Sequence, residues 1–240
     1  MSLSNDAVIL AGGLGTRLHG ILPDGWPKAM VPVNGRPFLE YLIKYLYAYG
    51  VRSIVLALGY GAEHVLRFVR EARWPDDLVV RSAVEPQPLG TGGAIRFVLP
   101  MLSGDVILAL NGDSISDVNP RRLLDYHTER SAEVTIALAR VLDATRYGTV
   151  ECDAHGRVVR FAEKQATCGP ALINGGMYAI STDVIRGLAE HAEMSWERDV
   201  LAQLVGHGLY CIEAATRFID IGTPQSLHEA GPFFERQFAL

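Results

Sequence analysis

Residues 7–18 read AVILAGGLGTRL, a short apolar run that passes directly into a glycine-rich loop. The apolar run over residues 7–11 predicts a buried strand. Glycines after such a strand let the backbone approach a phosphate closely and direct its N–H groups toward it. The spacing is not GxGxxG, and it is not a P-loop, because Gly20-x-x-x-x-Gly25 is followed by Trp26 where that motif needs lysine. The stretch predicts a phosphate-binding turn, with a purely structural turn as the alternative.

Two permanent cations flank this loop. Arg17 lies inside it, and Lys28 follows in the segment Pro27-Lys28. Cations beside a set of backbone N–H groups are what a triphosphate and a second phosphate would need. For either cation alone, a solvated surface charge is the alternative.

Outward from the first strand, short apolar runs alternate with helical spacing. The patterns predict strands over 7–11, 53–58, 78–85 and 105–110, with helices over 38–49, 62–72, 91–99 and from Pro120. This alternation predicts a doubly wound α/β fold with a mostly parallel sheet.

After Ser131 strands predominate, which predicts antiparallel additions and hence a mixed sheet. These strands are predicted over 133–141, 148–152, 158–164, 173–180, 209–214 and 217–221. Helices are predicted over 182–192, over 196–207 and from Pro224.

Composition narrows the classes of function. The 240 residues are 49% hydrophobic and carry a net charge of -5, which favours one globular domain and disfavours a nucleic-acid partner. No apolar run approaches the roughly 18 residues of a membrane helix, and the first residues lack the basic start of a signal peptide. Three cysteines without a CxxC pair favour a reducing cytoplasm over a disulfide framework or a zinc site.

The motifs together resemble the nucleotidyltransferase family that makes nucleoside-diphosphate sugars. Residues 10–18 followed by Pro27-Lys28 resemble its signature, and Glu85-Pro-Gln-Pro-Leu-Gly-Thr-Gly-Gly-Ala94 resembles its base-binding loop. Asn111-Gly112-Asp113 and the segment 218–224 resemble its two metal-binding elements. Residues 147–150, Glu163-Lys164 and 174–176 resemble its sugar-binding elements. Several motifs in one order are more specific than any one of them.

The resemblance implies a Rossmann-like, GT-A-like nucleotidyltransferase fold without a C-terminal β-helix. It implies one domain over 1–240, with a nucleotide-binding part over about 1–118 and a sugar-binding part over about 119–240. Carried over by position, the implied catalytic residues are Arg17, Lys28 and Asp113. The implied nucleotide-binding residues are Leu10, Ala11, Gly12, Gly13, Gly15, Thr16, Glu85, Pro88, Gly90, Thr91, Asn111 and Gly112. The implied sugar-binding residues are Gly148, Glu163, Lys164, Asn174 and Gly175.

The resemblance also implies one Mg²⁺ held by Asp113 and Asp220. Magnesium is a hard cation that favours carboxylate and phosphate oxygens, and it would neutralise charge on the α-phosphate and the leaving pyrophosphate. From spacing alone, either aspartate could be an ordinary turn or cap residue.

The implied reaction is attack of a sugar 1-phosphate oxygen on the α-phosphorus of a nucleoside triphosphate. The nucleophile is already ionised, so catalysis would consist of positioning and electrostatic stabilisation. Arg17 would hold the triphosphate, Lys28 would neutralise charge at the α-phosphate and Lys164 would bind the sugar phosphate.

Glu85 favours guanine as the base. An ionised carboxylate only accepts hydrogen bonds, and guanine presents two adjacent donors, N1–H and N2–H₂. The alternative is that Glu85 faces solvent or pairs with Arg81 or Arg96. GTP is therefore the predicted nucleotide.

For the sugar, residues 22–33 and the short length resemble D-glycero-D-manno-heptose 1-phosphate guanylyltransferases, which supply GDP-heptose for bacterial surface polysaccharides such as capsule and lipopolysaccharide. Mannose 1-phosphate guanylyltransferases are the alternative.

Gln165 departs from the family's usual proline after Glu163-Lys164. Glu197, after the predicted N-cap Ser195, is an ordinary first-turn carboxylate or a neighbour of the metal or sugar.

Other classes of function are disfavoured. A non-catalytic regulatory subunit would lack the cations or carboxylates that are present here, and a glycosyltransferase would typically carry an Asp-x-Asp motif. The missing GxGxxG disfavours an NAD-dependent oxidoreductase. A homo-oligomer is left open, since the tyrosines over 41–49 fit either a core or an interface.

Overall fold

The computed structural model of the chain describes residues 3–13, 22–162, 169–215 and 217–238. These residues form a large sheet flanked by helices. The strands are β1 (Leu3–Leu10), β2 (Pro32–Val33), β3 (Arg36–Pro37), β4 (Ser53–Leu58), β5 (Val79–Val84), β6 (Val106–Asn111), β7 (Ser114–Ser116), β8 (Val134–Val141), β9 (Thr149–Cys152), β10 (Val158–Ala162), β11 (Ala171–Ser181), β12 (Leu209–Ala215) and β13 (Phe218–Asp220). The helices are α1 (Phe38–Ala48), α2 (Ala62–Glu71), α3 (Gly90–Val98), α4 (Pro120–Glu129), α5 (Thr182–Arg186), α6 (Ala202–Leu204) and α7 (Pro224–Phe238).

The central sheet has nine strands and is mixed. Its path runs β10-β9-β11-β6-β1-β4-β5, and β8 pairs with β11 and β12. Strands β5, β4, β1 and β6 are parallel, whereas β11 runs antiparallel to β6 and to β8. The predicted doubly wound, mainly parallel fold with antiparallel additions is therefore confirmed.

The core lies on both faces of this sheet. In β1, Ala7 and Ile9 join one buried cluster with α1, α4 and α7, while Val8 joins a second cluster with α3 and Trp196. Alternate side chains of a strand point to opposite faces, so a strand covered on both sides reads as a continuous apolar run. No helix in the described ranges is long and apolar enough to cross a membrane.

The secondary structure departs from the sequence predictions in several places. The helix predicted over 182–192 ends at Arg186, because Gly187 is a weak helix former and His191 has a positive φ of 55°. The hairpin of β2 and β3 was not predicted. Its turn is Asn34-Gly35, with φ of 47° and 76°, the conformation that two-residue hairpins prefer.

The structure brings two of the cysteines together, a contact that the sequence did not predict. Cys152 of β9 and Cys211 of β12 are in sulfur–sulfur contact across a sequence separation of 59 residues, with their Cα atoms 7.1 Å apart, beyond the roughly 4.4–6.8 Å usual for a disulfide. The β9–β10 hairpin brings them together, because the Cys211 N–H donates to the carbonyl of Gly156 at 2.8 Å. Cysteine spacing alone could not show this contact. Cys168 lies outside the described residues.

Candidate active site

A cavity of about 640 Å³ opens where β1, β4, β5 and β6 end. The carboxyl ends of parallel strands are where open α/β sheets bind ligands. The cavity brings together most of the residues predicted to bind nucleotide or to be catalytic, from four separate stretches of chain. They are Leu10, Ala11, Gly12, Gly13, Lys28, Glu85, Pro88, Gly90, Thr91, Asn111, Gly112 and Asp113.

Lys28 is held at the cavity by a short, well-anchored turn. It begins a 3-10 turn, Lys28–Met30, in which Ala29 and Met30 are buried. Its backbone N–H donates to the Gly13 carbonyl at 3.4 Å, which ties it to the glycine-rich loop. Its Nζ lies 2.5 Å from Oδ2 of Asp113, and the lysine side chain is only 17% exposed. The ammonium group therefore reaches the cavity already paired with the predicted metal carboxylate.

The structure places Asp113 and Asp220 side by side. Strand β13 pairs with β7 so that Asp220 is opposite Ser114, and the Ile221 N–H donates to the Asp113 carbonyl at 2.9 Å. Arg146 binds Oδ1 of Asp220 at 2.8 Å, and the Tyr147 hydroxyl donates to Oδ2.

Gly222 marks the centre of this cluster. A Cβ on Gly222 would lie 2.6 Å from Oδ1 of Asp220 and 3.5 Å from both the Lys28 and Arg146 nitrogens. One carboxylate and two cations thus converge at Gly222, and the second carboxylate, Asp113, is paired with one of those cations, Lys28.

These carboxylates fit a magnesium ion only in part. Within the described ranges, no three His, Cys, Asp or Glu side chains form a group that could hold a metal. Asp113 and Asp220 are hard oxygen donors, and Mg²⁺ is typically bound by one or two carboxylates with phosphate and water oxygens completing its shell. Because each aspartate already meets a cation or a hydroxyl, Mg²⁺ would arrive with the nucleotide rather than fill a protein cage.

Glu85 is one of the residues that line the cavity. Its Oε2 accepts a hydrogen bond from the Leu89 N–H at 3.2 Å, and its Oε1 faces Gly12 and Gly59. Burial raises the pKa of this carboxyl group, with the hydrogen bond from Leu89 opposing the shift. Neither Arg81 nor Arg96 pairs with it: Arg81 donates to Ser53, and Arg96 binds Glu190. A partly buried acceptor in a cavity wall is suited to reading a base.

A buried polar network continues the cavity toward the predicted sugar side. Glu197 lines the cavity from a π-helical segment, Trp196–Leu201. Its Oε1 accepts from the Tyr178 hydroxyl at 3.2 Å, and Asn174 Nδ2 donates to that hydroxyl at 2.6 Å. The Oε2 atom of Glu197 accepts a hydrogen bond from the Thr91 hydroxyl at 3.3 Å. Burial raises the pKa of Tyr178 well above its usual range, so the phenol stays protonated and orients the Glu197 carboxylate.

Two other predicted sugar-binding residues, Gly148 and Gly175, are not among the described residues that line the cavity. Gly148 is tied to Asn174, whose N–H donates to the Gly148 carbonyl at 3.4 Å. Gly175 is buried where a Cβ would lie 2.7 Å from the Ala137 carbonyl. Five predicted site residues fall outside the described residues: Gly15, Thr16, Arg17, Glu163 and Lys164. All these roles stay predictions.

Several residues that line the cavity were not predicted from the sequence. Gly59 and Tyr60 follow β4, and Glu193 lies just before Glu197. The rule that located Asp113, a position just past an apolar parallel strand, also applies to Gly59 and Tyr60. Glu193 had no comparable signal, because it sits in irregular chain between α5 and the π-helical segment.

Comparison with known proteins finds a matching family model and several similar proteins. A family model described as nucleotidyl transferase matches residues 6–237. The D-glycero-alpha-D-manno-heptose 1-phosphate guanylyltransferase of Campylobacter jejuni is 33% identical over 222 residues, covering 92% of this chain and 96% of that protein. The mannose-1-phosphate guanylyltransferase of Mycobacterium tuberculosis is 36% identical over 227 residues, and the match spans 92% of this chain but only 62% of that relative.

A solved structure is similar over almost the whole fold. HddC from Yersinia pseudotuberculosis superposes with a TM-score of 0.84 and 33% identity, covering 95% of this chain and 99% of that chain. The same protein has also been solved in complex with GMP-PN, with the same TM-score.

Proposed function

The chain belongs to the nucleotidyl transferase family, and we propose that it transfers the guanylyl group of GTP to D-glycero-α-D-manno-heptose 1-phosphate, releasing pyrophosphate. The observation that carries this proposal is the single cavity in which Glu85, Lys28 and Asp113 meet at the strand ends. A base acceptor, a cation and a metal carboxylate in one cavity are the parts that nucleotidyl transfer requires.

Guanine is the base that Glu85 suits. The carboxylate can accept both N1–H and N2–H₂, whereas uracil and thymine offer one ring donor between two acceptors. The GMP-PN complex of the similar protein from Yersinia pseudotuberculosis supports a guanine nucleotide here.

In the proposed reaction, Lys28 binds the α-phosphate and stabilises the charge that develops as the sugar phosphate oxygen attacks. Lys28 already lies 2.5 Å from Asp113, so a phosphate oxygen would bind to another N–H of the same ammonium group. Magnesium, when bound to Asp113 and Asp220, would supply further charge neutralisation at the phosphates.

The described cavity needs additional positive charge. Lys28 is the one cation among the described lining residues, which also include the carboxylates Glu85, Asp113, Glu193 and Glu197. A triphosphate and a sugar phosphate would be repelled by these carboxylates. We propose that Arg17 and Lys164, which lie outside the described residues, supply the missing charge.

On the sugar side, Glu197 is proposed to accept sugar hydroxyls together with Asn174 and Glu163. A rigid carboxylate held by Tyr178 and Thr91 is pre-organised for such contacts. The relatives named above act on heptose and mannose 1-phosphates, so mannose 1-phosphate is the competing substrate. We further propose a cytoplasmic enzyme that supplies GDP-heptose for surface polysaccharides.

The test is pyrophosphate release in the presence of Mg²⁺. GTP, ATP, UTP, CTP and dTTP are each offered with heptose 1-phosphate and with mannose 1-phosphate. Release that depends on GTP and is faster with heptose 1-phosphate supports the proposal. Faster release with mannose 1-phosphate would make that compound the substrate instead. Absence of release with every pair, from protein that is folded by circular dichroism, would leave a non-catalytic member of the family.

A further inference from the structure

Glu85 occupies space that two glycines leave open. Strands β1, β4 and β5 end side by side, and Gly12, Gly59 and Glu85 lie just beyond those ends. The Glu85 N–H donates to the Leu58 carbonyl at 2.8 Å, and the Ala11 N–H donates to Ala57 at 2.9 Å. These bonds hold the three chain segments in register beyond the strands.

The Glu85 carboxylate lies across the end of β4. A Cβ on Gly59 would lie closer than 3.0 Å to Oε1 of Glu85. A Cβ on Gly12 would lie 3.3 Å from the same oxygen and 3.0 Å from the Gly59 nitrogen. Neither glycine has a positive φ, so the backbone dihedral angles alone would accept an alanine at either position. Gly12 leaves room for the Gly59 backbone as well as for Glu85, whereas the atom nearest to a Cβ on Gly59 is the carboxylate oxygen itself.

The second carboxylate oxygen is fixed independently. Oε2 accepts from the Leu89 N–H at 3.2 Å, and the Leu89 side chain is buried. The loop that carries Leu89 is tied down, because the Met194 N–H donates to the Leu89 carbonyl at 2.9 Å and the Gly92 N–H donates to the Met194 carbonyl at 2.9 Å. One oxygen held by a backbone N–H and the other lodged over Gly59 fix the plane of the carboxylate.

We propose that Gly59 determines base specificity by positioning Glu85. This inference rests on the proposed function, in which Glu85 reads guanine. Accepting N1–H and N2–H₂ together requires both the position and the plane of the carboxylate, since hydrogen bonds weaken steeply as their angles depart from linear. A side chain at position 59 would push Oε1 away and rotate the carboxylate about its hydrogen bond to Leu89.

The test compares Gly59→Ala with wild type using GTP and ITP, which lacks the N2 amine. In the variant the KM for GTP is expected to rise about tenfold with kcat nearly unchanged, because hydrogen bonds to a charged group are weakened. The KM for ITP is expected to rise less, so the preference for GTP over ITP falls. Gly187→Ala is the matched control, since a Cβ there meets only ordinary contacts, the nearest at 3.4 Å.

A double-mutant cycle separates positioning from simple crowding of the base. In a Glu85→Ala background no carboxylate is left to displace, so adding Gly59→Ala should change the GTP-to-ITP ratio little further. The inference is overturned if the losses in kcat/KM from the two substitutions simply add and are equal for GTP and ITP. That result would mean that Gly59 makes room for the base itself. An unchanged GTP-to-ITP ratio in Gly59→Ala also overturns it, while the proposed function stands. Wild-type protein that does not use GTP would refute the proposed function, and the inference with it.

Discussion

Lys28 is the residue whose charge the proposed chemistry depends on most. Its ammonium group is largely shielded and lies 2.5 Å from Asp113, so it is fixed before substrate binds. We expect Lys28→Met to lower kcat by about 100- to 1,000-fold, the effect of removing one pre-organised donor. The measurement is steady-state pyrophosphate release. Lys44→Met, at an exposed lysine paired with Glu40, should keep wild-type activity. A Lys28→Met enzyme within a few-fold of wild type would remove this lysine from the mechanism.

Glu197 tests the sugar side of the cavity. Glu197→Gln keeps the shape of the side chain but removes the charge that Tyr178 and Thr91 orient. We expect the KM for the sugar 1-phosphate to rise about tenfold, as the loss of one charge-assisted hydrogen bond predicts, with the KM for GTP unchanged. Glu63→Gln, an exposed carboxylate on α2, is the control. A rise in the KM for GTP instead would place Glu197 against the nucleotide.

At the level of helices and strands, buried His127 connects α4 to two strands. Its Nδ1 lies 3.0 Å from the Thr135 hydroxyl on β8, and its Nε2 lies 3.1 Å from the Ser181 hydroxyl on β11. The Ser181 hydroxyl donates to the Ala132 carbonyl, so it must accept from His127. Nε2 therefore carries a proton, and in the neutral ring Nδ1 accepts from the Thr135 hydroxyl.

This histidine should make the fold sensitive to acid. Burial lowers the pKa of His127 to about 4, below the ordinary value of about 6.5 for an unfolded chain. Between pH 4 and pH 6.5 the unfolded chain binds a proton at this histidine that the folded chain does not. The stabilisation by the buried neutral ring is therefore complete above pH 6.5 and is lost as the pH falls toward 4. The loss amounts to about 3 kcal/mol.

Urea unfolding between pH 7 and pH 4.5 measures this effect. His127→Gln retains a donor and an acceptor but does not titrate, so its free energy of unfolding should fall less over this range than that of the wild type. His155→Gln, at an exposed histidine, should follow the wild type. Equal pH dependence in all three proteins would contradict the assignment.

How far the sequence predicted these elements depends on how local their causes are. The strand over 53–58 was predicted with the observed bounds, because an apolar run buried on both faces carries its own signal. The start of α4 at Pro120 was predicted, and Asn119 before it caps the helix, since its Oδ1 accepts from the Arg121 N–H at 2.9 Å. The Asn34-Gly35 hairpin had an equally local signal and was missed. Strand β7 had none, since its three residues are defined by pairing with β13.

In the candidate site too, residues in local motifs were predicted from the sequence and contacts between distant segments were not. Gly12, Lys28, Glu85 and Asp113 were predicted from motifs, and the structure gathers them in one cavity. The pairing of Arg146 and Tyr147 with Asp220, and the reach of Glu197 into the cavity, depend on contacts between distant segments. Such contacts are fixed by tertiary packing, which no local pattern encodes.

Across the whole molecule, strand β6 joins the nucleotide-binding part to the sugar-binding part. Leu108 pairs with Ala7 of β1 on one side and with Ala179 of β11 on the other. The same buried cluster contains residues from α1 before this junction and from α7 after it. We therefore propose that the two parts, divided near residue 118, form one domain rather than two independent ones.

A domain built on one continuous sheet should unfold in one step. We expect a single calorimetric transition whose measured enthalpy equals the van't Hoff enthalpy. Leu108→Ala creates a cavity at the junction, so it should destabilise the whole chain by about 2–5 kcal/mol and shift that one transition. Leu142→Ala, at a side chain that is 86% exposed, is the control and should leave it in place. Two separable transitions, with Leu108→Ala moving only one of them, would show instead that the halves fold independently and that β6 belongs to just one.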